Sequence, residues 1–235
     1  MANSKTSKNL LVLFVCFSVF GFAILFFLLV QSARFQLNIQ NSSFLGGIAY
    51  SVVCFLGVAA VFQPKRCQKS FTLSKQVNSQ SRCEVVEGSG STVKGHHPDC
   101  SEFEGNRIQI RGIVLCSACT GLFLGTMAAL VGTILYFFFR VPMPLADLKF
   151  LLVGCVAMFL GLAQFGLRGY FKLIVNAVFV VGSFVILVTA DLIGKNLLID
   201  FYALGLIVFL LLTRILISEW NNRRICLKCE SCKFR

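Results

Sequence analysis

The chain has 235 residues, of which 57% are hydrophobic and only 14% charged, with a formal net charge of +12 and a mean hydropathy of +0.81. A soluble domain of this length carries about a quarter charged residues. The composition therefore excludes an ordinary soluble globular protein and points to an all-α polytopic membrane protein, with hydrocarbon as the apolar environment.

A helix needs about 20 apolar residues to cross about 30 Å of hydrocarbon. In chain order, the first such run is Leu10–Val30, preceded by Lys5 and Lys8. Its length exceeds the roughly 7–15 residues of a signal-peptide core, and the exit "VQSARF" lacks a small-x-small cleavage pattern, so a retained anchor is expected. The second run is Phe44–Phe62, completing a two-helix segment over residues 1–63. Residues 64–94 are rich in Ser, Lys, Gln and Gly, including "VEGSGSTVKG", and read as a flexible basic linker. Residues 95–119 have more shape. "RIQI" alternates polar and apolar, "RG" offers a turn and "IVLC" returns, which predicts a β-hairpin just before the third helix. Four further runs, Thr120–Phe139, Leu148–Leu167, Leu173–Ala190 and Leu197–Ile217, fill residues 120–217 and bring the expected helices to about six. A basic, Cys-rich tail, 218–235, ends the chain.

Lys and Arg distribution sets orientation. With a cytoplasmic N-terminus, 18 of the 22 basic residues fall inside, and only Arg34, Arg140, Lys149 and Lys195 fall outside. This predicts a multi-pass cell-membrane protein with both termini cytoplasmic. The positive charge is then topogenic and suited to anionic lipid headgroups, and no nucleic-acid partner is expected.

The same topology divides the 11 cysteines. Cys16, Cys54 and Cys155 lie in apolar runs, where packing accounts for them. Cys67, Cys83, Cys100, Cys116, Cys119, Cys226, Cys229 and Cys232 all fall in segments assigned to the cytoplasm. Disulfides are disfavoured there, so clustered thiols point to metal or redox chemistry.

His97-x2-Cys100 is followed, after 15 residues, by Cys116-x2-Cys119. Two such pairs match zinc-ribbon spacing with one Cys replaced by His, because each tight knuckle aims two side chains at one ion. A Cys3His Zn2+ site on His97, Cys100, Cys116 and Cys119 is expected, with His96 as the alternative ligand and the hairpin as the element joining the pairs. Asp99 could accept a hydrogen bond from a ligand histidine, although a solvated turn residue is the better account of it. The competing chemistry is redox: Cys116 and Cys119 stand at the start of a helix, where the dipole favours thiolate. That alternative leaves His97 and Cys100 unexplained. Activation of Cys100 by His96 or His97 has no third group to orient it.

The tail gives Cys226-x2-Cys229-x2-Cys232, three thiols that would need a fourth ligand, such as Cys67 or Cys83, to hold a second metal ion or an iron–sulfur cluster. A palmitoylated basic tail explains the same residues. Gln164, Arg168 and Asn176 sit on the leaflet of the Cys/His site and could line a pocket, while interfacial anchoring explains them as well. Gly121-x3-Gly125 permits close helix packing. The apolar middles of the spans weigh against a small-solute or metal transporter. No Walker loop, dinucleotide Gly fingerprint, Gly-x-Ser-x-Gly elbow or His-Glu-x-x-His is present, which weighs modestly against a common enzyme class.

At "HHPDC" and "CSACTGLFLG" the chain resembles an uncharacterised family of prokaryotic, notably archaeal, small membrane proteins. The shared pattern is a His/Cys element, then Cys-x-x-Cys-Thr-Gly and a small-residue helix. It is matched here by His97, Cys100, Cys116, Cys119, Thr120 and Gly121, within roughly Gly95 to Leu130. The resemblance implies a membrane protein with a Cys/His site and supplies no activity. The expectation is therefore a binding, scaffold or metal-responsive module, able to meet a second copy or another membrane protein. The alternatives are a membrane thiol–disulfide oxidoreductase using Cys116 and Cys119, and, less well supported, the transporter.

Overall fold

The computed structural model describes residues 2–35, 43–62, 105–110, 113–164 and 167–228. These form six helices, α1 (Ala2–Phe35), α2 (Ser43–Phe62), α3 (Ser117–Thr133), α4 (Leu148–Leu162), α5 (Gly169–Gly194) and α6 (Leu197–Lys228). One antiparallel hairpin, β1 (Arg107–Ile110) and β2 (Ile113–Cys116), leads directly into α3. The molecule is a mostly helical membrane protein.

Four segments are long and apolar enough to cross a bilayer: Val12–Ser32, Ser117–Phe138, Gly169–Gly194 and Leu197–Asn221. The six expected spans are thus four long helices and two shorter apolar ones, Phe44–Ala59 within α2 and Leu148–Leu162. The 15-residue α4 is about 22 Å long, less than the hydrocarbon thickness. It stops before the expected end at Leu167 because Ala163 leaves the helical region (φ −81°, ψ 10°) and the chain turns to start α5 at Gly169. Gly169 takes a left-handed φ of +54° there, which glycine adopts without strain. At the other extreme, α6 runs past the expected boundary at residue 217 to Lys228, so the first part of the basic tail continues the helix.

Local chemistry sets the remaining ends. Asp147 Oδ1 accepts from Lys149 N at 2.9 Å and caps α4, and Asn196 Oδ1 accepts from Leu198 N at 2.9 Å at the start of α6. The last turn of α3 widens into a π turn, Ile134–Phe138, and Arg140 then takes a left-handed φ of 54°.

Glycine contacts give the helix directions. A Cβ on Gly125 would meet Ala177 O at 2.6 Å and one on Gly132 would meet Phe184 Cζ at 2.7 Å, so α3 and α5 run parallel. Gly154 faces Ile186 and Gly161 faces Phe179, so α4 returns antiparallel to α5. Gly47 faces Phe137 and Gly57 faces Thr126, which makes α2 antiparallel to α3. Phe14 stacks on Phe209 and Gly21 abuts Leu206, so α1 and α6 are antiparallel. Successive helices therefore alternate in direction. Helix α5 is the most enclosed span and is apolar all round, as a central helix must be. Phe179, Ile186 and Leu187 on it are fully buried with Leu25, Leu29, Met158, Ile207 and Leu210. The outward residues Phe20, Phe55, Leu56, Val131 and Phe171 are equally apolar, the pattern of a lipid-facing surface.

Candidate functional site

The start of α3 is held by three neighbouring elements. In the hairpin Arg107 pairs with Cys116, Ile108 with Leu115, Gln109 with Val114 and Ile110 with Ile113. Cys116 is both the last residue of β2 and the N-cap of α3, with extended dihedrals (φ −72°, ψ 119°). Cys119 follows in the first helical turn, and its thiol is hydrogen-bonded to that of Cys116. Thr120 Oγ1 donates to Cys116 O at 2.9 Å. Ser117 Oγ donates to Asn106 O at 3.0 Å, and Lys172 Nζ on α5 donates to Asn106 Oδ1 at 2.6 Å. One asparagine thus ties the base of the hairpin to both helices.

The close approach of α3 to α5 comes from Gly121. A Cβ there would run into Leu173 O and would meet Asn176 Cβ at 2.9 Å. This seam brings the first turn of α3 against Lys172 and Asn176. Asn176 is fully buried, and its Nδ2 donates to Lys172 O at 2.5 Å, which leaves Oδ1 facing away from its own helix. Arg214 of α6 donates to that oxygen. Its guanidinium also lies 5.4 Å from the centroid of the Phe179 ring. Arg214 is 6% exposed, and its Nε has no hydrogen-bond partner among the described residues. Among those residues, the thiols of Cys119 and Cys116 act on it electrostatically, and Lys172 and Arg214 repel one another. Lys172 and Arg214 in turn act on Cys119.

The residues expected from sequence are therefore partly assembled. Cys116 and Cys119 come together at the hairpin, and Asn176 joins them through Arg214. Gln164 is buried, and its Oε1 has no hydrogen-bond partner among the described residues. Arg168 is exposed and lays its side chain over Gly105, where a Cβ would meet Cδ at 3.0 Å, so it supports the hairpin base from outside. His96, His97 and Cys100 lie outside the described residues, as do Cys67, Cys83, Cys229 and Cys232. Cys226 belongs to the last part of α6. Among the described residues no three His, Cys, Asp or Glu side chains form a metal-binding group, and of the four expected ligands only Cys116 and Cys119 are described, at the end of the hairpin.

Sequence reasoning counted Lys172 and Arg214 as topogenic charge alone and did not foresee their hydrogen bonds to Asn106 and Asn176. A signal was present for Arg214, which interrupts the apolar run Leu197–Ile217. At the opposite end of the bundle, Tyr136 OH donates to Asp191 Oδ2 at 2.6 Å, and both Asp191 and Asp200 act electrostatically on that tyrosine. Asp191 and Asp200 are buried. No protein-family model matches the chain, and no curated protein or solved structure is detectably similar to it.

Proposed function

We propose that the chain crosses the membrane six times with cytoplasmic termini and carries at its cytoplasmic face a Cys3His zinc site of His97, Cys100, Cys116 and Cys119. The observation that carries this reading is the pairing of Arg107 with Cys116. An antiparallel hairpin returns its first residue to the side of its last, so the chain entering β1 starts beside the thiols. Cys100 stands seven residues ahead of Arg107. At about 3.3 Å per residue that tether spans at most about 23 Å, ample for the His97–Cys100 pair to fold back onto Cys116 and Cys119. The alternating helix directions support the six crossings, and the 20-residue α2, about 30 Å long, is sufficient for one of them.

Four protein ligands close the coordination sphere of Zn2+ and leave no position for substrate. The metal then acts as a structural or metal-responsive clasp between the cytoplasmic insert and α3, and the protein is a membrane binding or scaffold module. Membership of the archaeal-type family it resembles belongs to the same proposal.

A second reading is favoured by one observation, the mutual hydrogen bond of the Cys116 and Cys119 thiols at a helix start. A pair so placed can exchange with a partner disulfide. The Cys116–Cys119 bond forms, and the partner's sulfur–sulfur bond opens to two thiols.

Metal analysis separates the two. Zinc at one equivalent per chain in the purified protein, lost in both Cys100→Ser and Cys119→Ser, is the expected result. Metal-free protein with a reversible Cys116–Cys119 disulfide transfers the assignment to the redox reading. Labelling Cys116 from each side of sealed vesicles tests the orientation, and labelling from the outer side alone defeats it.

A further inference from the structure

We propose that the outward face of α4 is a lipid-selective surface that thins the surrounding bilayer and takes phospholipids with short acyl chains. The proposal rests on the six crossings proposed above and is independent of the Cys/His site.

Helix α4 is fixed at both ends. Residues 140–147 before it have no regular structure, and the chain leaves the helix again at Ala163. Irregular backbone facing lipid cannot stay in hydrocarbon, because its N–H and C=O groups find no partner there. At the first turn Lys149 Nζ lies 2.9 Å from Asp147 Oδ2, and the two side chains are 69% and 50% exposed. This charged pair also belongs to the headgroup region. The lipid-facing apolar length then runs from Phe150 to Leu162, about 20 Å, against about 30 Å of hydrocarbon. Beside it α1 offers the 21-residue stretch Val12–Ser32, about 31 Å long, and the Phe22 and Phe159 rings stand 5.4 Å apart. One side of the bundle therefore fits an ordinary bilayer, and its neighbour fits a thinner one.

A short helix is accommodated by charged side chains that reach out to the interface, by a second protein, or by thinner lipid. Lys149 does not reach outward: it is folded onto Asp147, with its ammonium 5.6 Å from the Phe150 ring centroid. A second copy is a poorer fit, because helices associate in lipid through small residues. Those of α4 are turned onto α5, where Gly154 meets Ile186, Ala157 meets Gly182 and Gly161 meets Phe179. What faces outward is bulky, with Leu152, Val153, Val156 and Leu160 each half or more exposed. Mobile acyl chains can mould to such a surface, and only short ones match its height.

The test uses the full chain with Trp220→Phe, so that one introduced indole reports on the lipid around it. Val156→Trp places the indole on α4 and Phe20→Trp places it on α1, both at lipid-facing positions. Each protein is reconstituted in dioleoyl phosphatidylcholine, and quenching is read as brominated dimyristoleoyl or dierucoyl phosphatidylcholine is mixed in. The indole of Val156→Trp is expected to favour the short-chain lipid over the long-chain one by about threefold, and that of Phe20→Trp to show a ratio near one. Quenching with equal ratios at the two positions overturns the proposal and leaves the six crossings standing. No quenching at Val156→Trp in any lipid, with Phe20→Trp quenched, overturns it as well. A dimeric sample then shows a second copy on α4, whereas a monomeric one shows that α4 lies outside the hydrocarbon, and the six crossings fall with it. Should Val156→Trp fail to fold, Leu160→Trp repeats the measurement on the same face.

Discussion

At the hairpin end of the bundle, the buried Arg214 donates to Asn176 and the half-buried Lys172 donates to Asn106; at the other end, Tyr136 donates its hydroxyl to Asp191 with Asp200 close by. Both ends place polar groups in an apolar bundle, but they satisfy them differently. The acidic end includes a short hydrogen bond from a neutral donor to a carboxylate, a sufficient structural use of both groups. The basic end meets its cations with neutral groups: Arg214 reaches the Asn176 amide oxygen and the Phe179 ring, and Lys172 reaches the Asn106 amide oxygen.

The largest expected difference between the ends is steric. Gly121→Ala drives a methyl into Leu173 O, a backbone atom that cannot yield without moving α5. Gly132→Ala, farther along the same helix, meets only the tip of the Phe184 ring at 2.7 Å. Overpacking costs about 1–3 kcal/mol where neighbours can shift, and the first substitution is expected at or beyond the top of that range, the second near the bottom. Thermal unfolding in detergent measures both, and equal losses would show that the tight seam is not specific to the thiol end. On the proposed zinc reading, Gly121→Ala should also lower zinc affinity, since it displaces the turn that carries Cys119.

An intermediate effect is expected at the acidic end. Tyr136→Phe removes a hydrogen bond to a carboxylate, worth about 1.5–3 kcal/mol, and should lower stability by an amount in that range. It should leave the metal content of the purified protein at the parent value. A loss of zinc in this variant would mean that the two ends are not independent.

The smallest effect lies on the surface, at the start of α4. The backbone N–H of Lys149, and then its ammonium at 2.9 Å, hold the Asp147 carboxyl below its ordinary range. A carboxylate depressed in the folded state stabilises fully above its unfolded value of about 3.9, and that contribution is lost as pH falls through the lower folded value. Amide exchange at Phe150, whose N–H is bonded to Asp147 O at 3.0 Å, should therefore accelerate below about pH 4. Asp147→Asn should abolish this pH dependence, while a persistent one would assign it to another group.

Much of the architecture is legible in the residues. Apolar runs located all six helices, because a lipid-facing helix must be apolar along its whole length. The hairpin strands were visible in the alternation of "RIQI" and the return of "IVLC". Helix ends were less legible. The stop of α4 at Leu162 depends on the turn into α5, and the run of α6 to Lys228 passes through polar residues that hydropathy assigns to a tail. Within the site, Cys116 and Cys119 declared themselves by spacing. Asn176 reads from sequence as either a pocket residue or an interfacial anchor, and Arg214 and Lys172 read as topogenic charge.

The sequence by itself determined that this is a helical membrane protein, that its basic residues are distributed unequally, and that a Cys-x-x-Cys opens the third helix. Those are properties of local composition and period, which neighbouring residues settle among themselves. Only the tertiary structure decided that Arg214, 95 residues beyond Cys119, shares its corner. That proximity follows from the antiparallel return of α6 along α5, and from two glycines that let α3 approach the same face. Charge acts through space and not along the chain, so the nearness of Arg214 to the start of α3 becomes apparent once the helices are packed.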